Sequence, residues 1–278
     1  MWWRRKRVFT VTRRDTPHGI QTFSAGHDAI GDLDVFVQAS DKSIWKWNEG
    51  DWTKVLGPAN GVTSFAAVDG DRAYAIYQDA SLHEFNGSVW SKVPQSKPVS
   101  AIDAITDGRG NDAVFALNTN RTFGEYFGGH FTQMMPPSVR IGKFPASLGT
   151  FSAGLDQFGN AIVYGSLVEH QVFFNLNFGV YEINFNGTQR LIDNGQSQFS
   201  ATNGALWIAK TNGSLEKYDA KGLHSEPRDV AGIVSLSAAT ANDVLYVSSI
   251  TNEISETQIS TGGFVEVIRH DNFGKVPQ

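Results

Sequence analysis

The chain has 278 residues, with 28 acidic against 23 basic side chains, a net charge of −5 and no cysteine. The acidic balance disfavours a nucleic-acid partner, which asks for a basic surface. The missing thiols exclude disulfides, cysteine nucleophiles and cysteine-ligated zinc.

Hydrophobic residues make up 41% of the chain and charged ones only 18%, enough apolar material for a large core. No run approaches the ~18 consecutive apolar residues of a membrane-crossing helix, so no transmembrane segment is expected. At the N-terminus Arg4, Arg5, Lys6 and Arg7 stand together, with Arg13 and Arg14 nearby. They read as a solvated tail, and no apolar stretch follows them to make a signal peptide. Val8 to Thr12 alternates like a strand before Pro17-His18-Gly19 breaks it. Residues 1–20 are therefore expected to be a tail or an extra edge strand, and residues 21–278 a single domain.

From Phe23 onward the sequence is one unit written repeatedly. The first copy runs through Phe23–Asp28, Asp34–Val37, Ser43–Asn48 and Asp51–Val55, four short strand-like pieces joined by tight turns. The aromatic of its second piece returns at Tyr74, Phe115, Tyr164, Trp207 and Tyr246 after Phe36. The intervals are 38, 41, 49, 43 and 39 residues, a mean of 42. A serine marks the preceding piece at Ser24, Ser64, Ser100, Ser152, Ser200 and Ser237. Turn-forming Asp, Asn and Gly fall where the pieces stop, as at Asp69-Gly70, Asn86-Gly87 and Asn203-Gly204. No segment keeps a 3.6-residue period, so almost no helix is expected. Repeats of about 42 residues holding four antiparallel strands predict an all-β fold, a six-bladed β-propeller of four-stranded antiparallel blades. Two stretches break the repeat: Met135–Thr150, with Pro136-Pro137, and His170–Phe178. Insertions on a repeat array map to loops on one face.

The phrase Asp41-Lys42-Ser43-Ile44-Trp45-Lys46-Trp47, followed by Gly50 and Trp52, resembles the tectonin and tachylectin-type propeller repeat, and Ser81 to Val93 repeats it. The resemblance implies a non-enzymatic, glycan-binding ring. It carries over no site residues, because the matching positions are scaffold positions.

Candidate site residues come from positions that vary. Trp45 is matched by His83, Gly124 and Glu216 in later copies, and specificity sits where a repeated scaffold changes its chemistry. Trp45 could stack on a sugar and His83 hydrogen-bond to it. Phe173, Phe174 and Phe178 of the second insertion complete the candidate binding set. Trp52, Trp90 and Phe131 recur at one position and read as packing between blades. Asp28, Asp69, Asp107 and Asp156 read as turn caps rather than a metal-binding ring. The seven histidines show no metal-ligand spacing, and neither a nucleophile elbow nor a phosphate-binding loop is present. No cofactor, metal site or catalytic residue is expected. The expected function is lectin-like recognition of a glycan or a protein on one face. The alternative is a hydrolase or lactonase-like enzyme with a metal in the central channel.

Overall fold

The computed structural model describes residues 20–265, apart from 28–32, 49–50, 58–60, 70, 95–97, 107–110, 128–129, 136–138, 142–143, 157, 159–160, 171–174, 184–188, 194–196, 203, 211, 213, 230–232, 239–242, 249–253 and 259–263. The basic N-terminal segment and Val8–Thr12 lie outside the described residues.

Every described element is a strand, and each sheet is a run of consecutive strands paired antiparallel. The first sheet is β1 (Ile20–His27), β2 (Leu33–Ala39), β3 (Ile44–Asn48) and β4 (Asp51–Leu56). The second is β5 (Val62–Ala67), β6 (Ala73–Tyr77), β7 (Leu82–Phe85) and β8 (Trp90–Lys92). The third is β9 (Val99–Thr106), β10 (Asp112–Asn118), β11 (Phe123–Phe127) and β12 (His130–Met135). The fourth holds β13 (Val139–Ile141), β14 (Phe144–Leu155), β15 (Ala161–His170), β16 (Asn175–Ile183) and β17 (Gln189–Asp193). The fifth is β18 (Ser197–Thr202), β19 (Ala205–Lys210), β20 (Ser214–Asp219) and β21 (Gly222–Asp229). The last is β22 (Ile233–Ala238), β23 (Asp243–Ser248), β24 (Ile254–Gln258) and β25 (Phe264–Val265).

The expectation of uniform four-stranded blades needs a correction. Five sheets are four-stranded and the fourth has five strands. Its β14 and β15 run 12 and 10 residues, against 6 to 8 for the leading strands of the other sheets. The inserted residues 139–150 therefore do not form a plain loop. They add β13 along the free edge of β14 and extend the β14–β15 hairpin, because a strand already hydrogen-bonded on one edge templates a second neighbour on the other.

The leading strands pack on one another in a ring: β1 on β5, β5 on β9, β9 on β14, β14 on β18, β18 on β22 and β22 on β1. Polar side chains on these strands cross to the next sheet. Ser24 Oγ accepts from Ala67 N (2.9 Å), Asp103 Oδ2 from Ala153 N (2.8 Å), Ser152 Oγ from Ala201 N (2.9 Å) and Ser237 Oγ from Ala25 N (3.0 Å). Each of these bonds satisfies a leading-strand amide of the next sheet.

Strand pairing lines up one row across every sheet. It runs Ser24–Phe36–Lys46, Ala66–Tyr74–Glu84, Asp103–Phe115–Glu125, Ser152–Tyr164–Glu182, Ser200–Trp207–Lys217 and Ser237–Leu245–Glu256. The sequence ruler therefore slips at three points. Ala66 and Asp103, not Ser64 and Ser100, hold the serine position, and Leu245 rather than Tyr246 faces Ser237. In the second sheet pairing runs without interruption from Ser64–Ile76 to Ala67–Ala73, which sets Ser64 two residues from the row.

Turns between second and third strands share one device. Asp41, Asp79 and Asn120 each accept from the backbone N–H and the hydroxyl of the residue two on, Ser43, Ser81 and Thr122. That cap holds the middle residues Lys42, Ala80 and Arg121 at φ of 67°, 62° and 65°, a left-handed conformation that side-chain-bearing residues adopt only under such local bonding. Apolar residues alternate to both faces: Ile44 packs toward the second sheet with Phe65 and Phe85, while Trp45 and Trp47 pack with Phe23, Val35 and Val37. Both faces of a sheet are thus buried, as stacking in a ring requires.

Candidate functional site

Trp45 and His83 occupy equivalent positions on separate sheets, paired with Val37 and Ala75. Trp45 is only 9% exposed; its Nε1 donates to Ser43 Oγ (2.7 Å), and Lys54 Nζ lies 5.3 Å from the ring centroid. That face is covered rather than open. His83 stacks parallel on Tyr77 with centroids 3.8 Å apart, and its Nε2 lies 3.0 Å from Ser81 Oγ. Burial lowers its pKa, with Lys92 adding to that and Asp79 opposing it, so the ring is neutral around pH 7. Each is engaged by its own sheet. Phe173 and Phe174 lie outside the described residues; Phe178 pairs with Leu167 through the backbone, and its side chain is likewise outside the description.

A denser polar constellation lies at the seam between the second and third sheets, and sequence reasoning missed it. Asp69 caps its own turn, accepting from Asp71 N (2.9 Å) and Arg72 N (2.8 Å). The same carboxylate holds the Arg72 guanidinium through Nε (2.8 Å) and Nη2 (2.6 Å). Arg72 Nη1 reaches across the seam to Asp112 Oδ1 at 2.6 Å, and Tyr74 Oη donates to Asp112 Oδ2 at 3.3 Å. Glu84, facing Tyr74 in the row, adds its charge to both Tyr74 and Asp112. The core behind Tyr74 is partly aromatic. Tyr74 and Tyr126 belong to one apolar cluster with Phe131 packed against it, and the Tyr126 and Phe131 rings lie 4.9 Å apart. Among the described residues Tyr126 Oη, which is buried, has no hydrogen-bond partner.

The electrostatics follow from this geometry. Burial raises the Asp112 pKa, with Asp69 and Glu84 adding and the Arg72 charge opposing. Burial and then the Asp112 charge drive the Tyr74 hydroxyl far above its ordinary range. Burial would lower the Arg72 pKa, but Asp69 and Asp112 outweigh it, so the guanidinium stays charged. With a side chain 35% exposed, Arg72 has its fork fixed by two carboxylates and still meets solvent. Beyond these bonds each terminal nitrogen of the guanidinium keeps one N–H, and such a fixed cation flanked by acceptors is suited to hydrogen-bond a polyhydroxylated ligand.

One signal in the sequence could have found it. A charged residue in the middle of a strand buried on both faces is unusual, and the third position of the row carries Lys46, Glu84, Glu125 and Lys217. Phe131, expected to be a packing residue, does pack against the apolar cluster that holds Tyr74 and Tyr126. Among the described residues there is no group of three or more His, Asp or Glu placed to hold a metal ion, and no helix is long and apolar enough to cross a membrane.

No family model matches the sequence, and no curated protein matches it. The fold does have solved counterparts. The SapL1 lectin, determined with α-methyl fucoside, is 18% identical with a TM-score of 0.59, over 90% of this chain and 95% of that one. A mutant of the Aleuria aurantia lectin AAL, determined with Fucα1-6GlcNAc, is 13% identical with a TM-score of 0.54, over 90% of this chain and 96% of that one. At these identities the likeness is one of architecture: the chain is an all-β propeller of antiparallel blades, four-stranded except for the widened fourth sheet, similar in fold to propeller lectins.

Proposed function

We propose that this protein is a non-enzymatic carbohydrate-binding propeller of six blades, one of them widened to five strands, and that it holds a sugar at the seam between the second and third sheets. The Arg72 fork carries the proposal. Asp69 and Asp112 aim it, Tyr74 bonds Asp112 beside it, and Glu84 adds a second acid next to Tyr74. Arg72 and the carboxylates bond sugar hydroxyls, while the buried Tyr74 and Tyr126 rings hold the site's wall in place. The tectonin-like phrase and the two lectin neighbours support a glycan as the ligand class. The fucosides in those two neighbours make an L-fucoside the first probe. Trp45 and His83 are assigned to bracing the turns through Ser43 and Ser81. A glycan array followed by calorimetric titration with α-methyl fucoside tests the proposal. Saturable binding that disappears in Arg72→Ala is expected; array silence, or binding unchanged in that variant, would overturn it.

A further inference from the structure

This inference rests on the glycan reading above and concerns how many sugars one chain holds. The repeat suggests a site at every seam, but strand pairing shows that the two charges of the site do not repeat. Arg72 stands two residues before the row, just ahead of its second strand, and Glu84 stands in the row on the neighbouring third strand. In the first sheet the same positions hold Asp34 and Lys46, the reverse polarity. In the third they hold Ala113 and Glu125, in the fourth Ile162 and Glu182, and in the fifth Ala205 and Lys217. In the last they hold Asp243 and Glu256, two acids.

The cations that do recur are covered further: the Lys46 and Lys217 side chains are 16% and 10% exposed, against 35% for Arg72. Lys46 Nζ lies 3.7 Å from Asp34 Oδ2 and 3.1 Å from Asp71 Oδ1, so its charge is taken up by two carboxylates. Lys217 Nζ sits 5.6 Å from the Trp207 ring centroid and 3.4 Å from Asp219 Oδ2. A lysine also lacks the planar, multi-donor fork that a guanidinium presents to vicinal hydroxyls. We infer that the ring is univalent: one sugar per chain, at the Arg72 seam, with the polarity reversal in the first sheet turning the adjoining seam into a structural joint. A univalent chain gains no avidity by itself, so a single copy does not cross-link glycan-bearing surfaces.

Calorimetric titration of the full chain with α-methyl fucoside, or with the strongest array glycan if that is a different sugar, counts the sites. A stoichiometry close to one, with the isotherm lost in Arg72→Ala, is the expected result. Two or more sugars per chain, or a saturable isotherm persisting in Arg72→Ala, would overturn univalence while leaving the glycan reading intact. No binding to any glycan would overturn both. Should Arg72→Ala not fold, Glu84→Gln keeps the side-chain shape. It is expected to weaken the whole isotherm uniformly, and loss of only a fraction of the sites in that variant would equally refute univalence.

Discussion

The first and second sheets place opposite charges at the same two positions, Asp34 with Lys46 and Arg72 with Glu84, and the contrast separates two uses of a buried charge. In the first sheet the carboxylate of Asp34 has no exposed surface, and Lys46, 16% exposed, spans from it to Asp71 of the next sheet. The cation is used up inside the protein. In the second sheet the longer, planar cation is anchored on Asp69 and Asp112 with part of its surface outward. Reversing the order of acid and base along a hairpin thus turns a potential binding group into a rivet. Lysine concentrates its charge at one flexible point, whereas arginine holds five donors in a fixed plane.

The largest expected effect strikes the rivet. Lys46→Ala strips buried Asp34 of its cation and should lower stability by about 3 kcal/mol, the low end for breaking a buried ion pair, while sugar affinity stays unchanged. Urea unfolding monitored by tryptophan fluorescence, paired with the sugar titration, checks both halves. Next is Arg72→Lys, which keeps the charge and loses the fork. Binding should weaken about tenfold, or ~1.4 kcal/mol, with unfolding nearly unaltered. An unaltered dissociation constant would show that the geometry of the fork is irrelevant. Tyr74→Phe removes one hydroxyl from the Asp112 network and should weaken binding about fivefold, near 1 kcal/mol. The phenylalanine already at Phe36 in the same row shows that the fold accepts the ring alone.

The smallest effect is a slope. Asp103 fills a place held by serine in four of the sheets. Though the residue keeps some exposed surface, Ala153 N and Ser152 Oγ close over its carboxylate, each at 2.8 Å. Burial raises its pKa, and the hydrogen bonds from Ala153, Ser152 and Ala104 oppose that. A carboxyl whose folded pKa lies above its unfolded one binds the proton more tightly in the folded state. Its contribution to stability is therefore greatest below the ordinary aspartate value of ~3.9 and declines as pH rises through the raised folded value. Asp103→Ser should flatten that decline in thermal unfolding curves recorded between about pH 4 and 7. A decline as steep as the parent's would assign it to other groups.

The architecture was legible in the sequence because spacing and turn chemistry are local. The near-42-residue ruler, the Asp-x-Ser turns and the absence of helical periodicity each follow from residues close together in the chain. What stayed hidden depends on register. Ser64 and Ser100 have the right chemistry two and three positions away from the row, and Asp103 takes the serine's role without resembling it. Tyr246 keeps the aromatic type, but Leu245 takes the hydrogen-bonded place opposite Ser237. The candidate site was hidden for a related reason. Arg72 and Asp112 are 40 residues apart in different repeats, and only the packing of β6 on β9 and of the two sheets around them brings a turn of one against a strand of the next. Trp45 drew attention because it is large and unshared, yet its size is what buried it.

The bond from Ala25 N to Ser237 Oγ spans 212 residues, whereas each other neighbouring pair of sheets is tethered by a connection of a few residues. Among the described residues no strand is exchanged between the first and last sheets to staple them, since each sheet consists of consecutive strands. Bringing together ends some forty times farther apart along the chain costs about 3 kcal/mol more in loop-closure entropy than docking a tethered neighbour. The assembly order follows: sheets dock one after another along the chain, and the circle shuts last. The same joint is the first to gape when the native state fluctuates, so slow opening of the molecule concentrates at one clasp rather than spreading evenly around the circle.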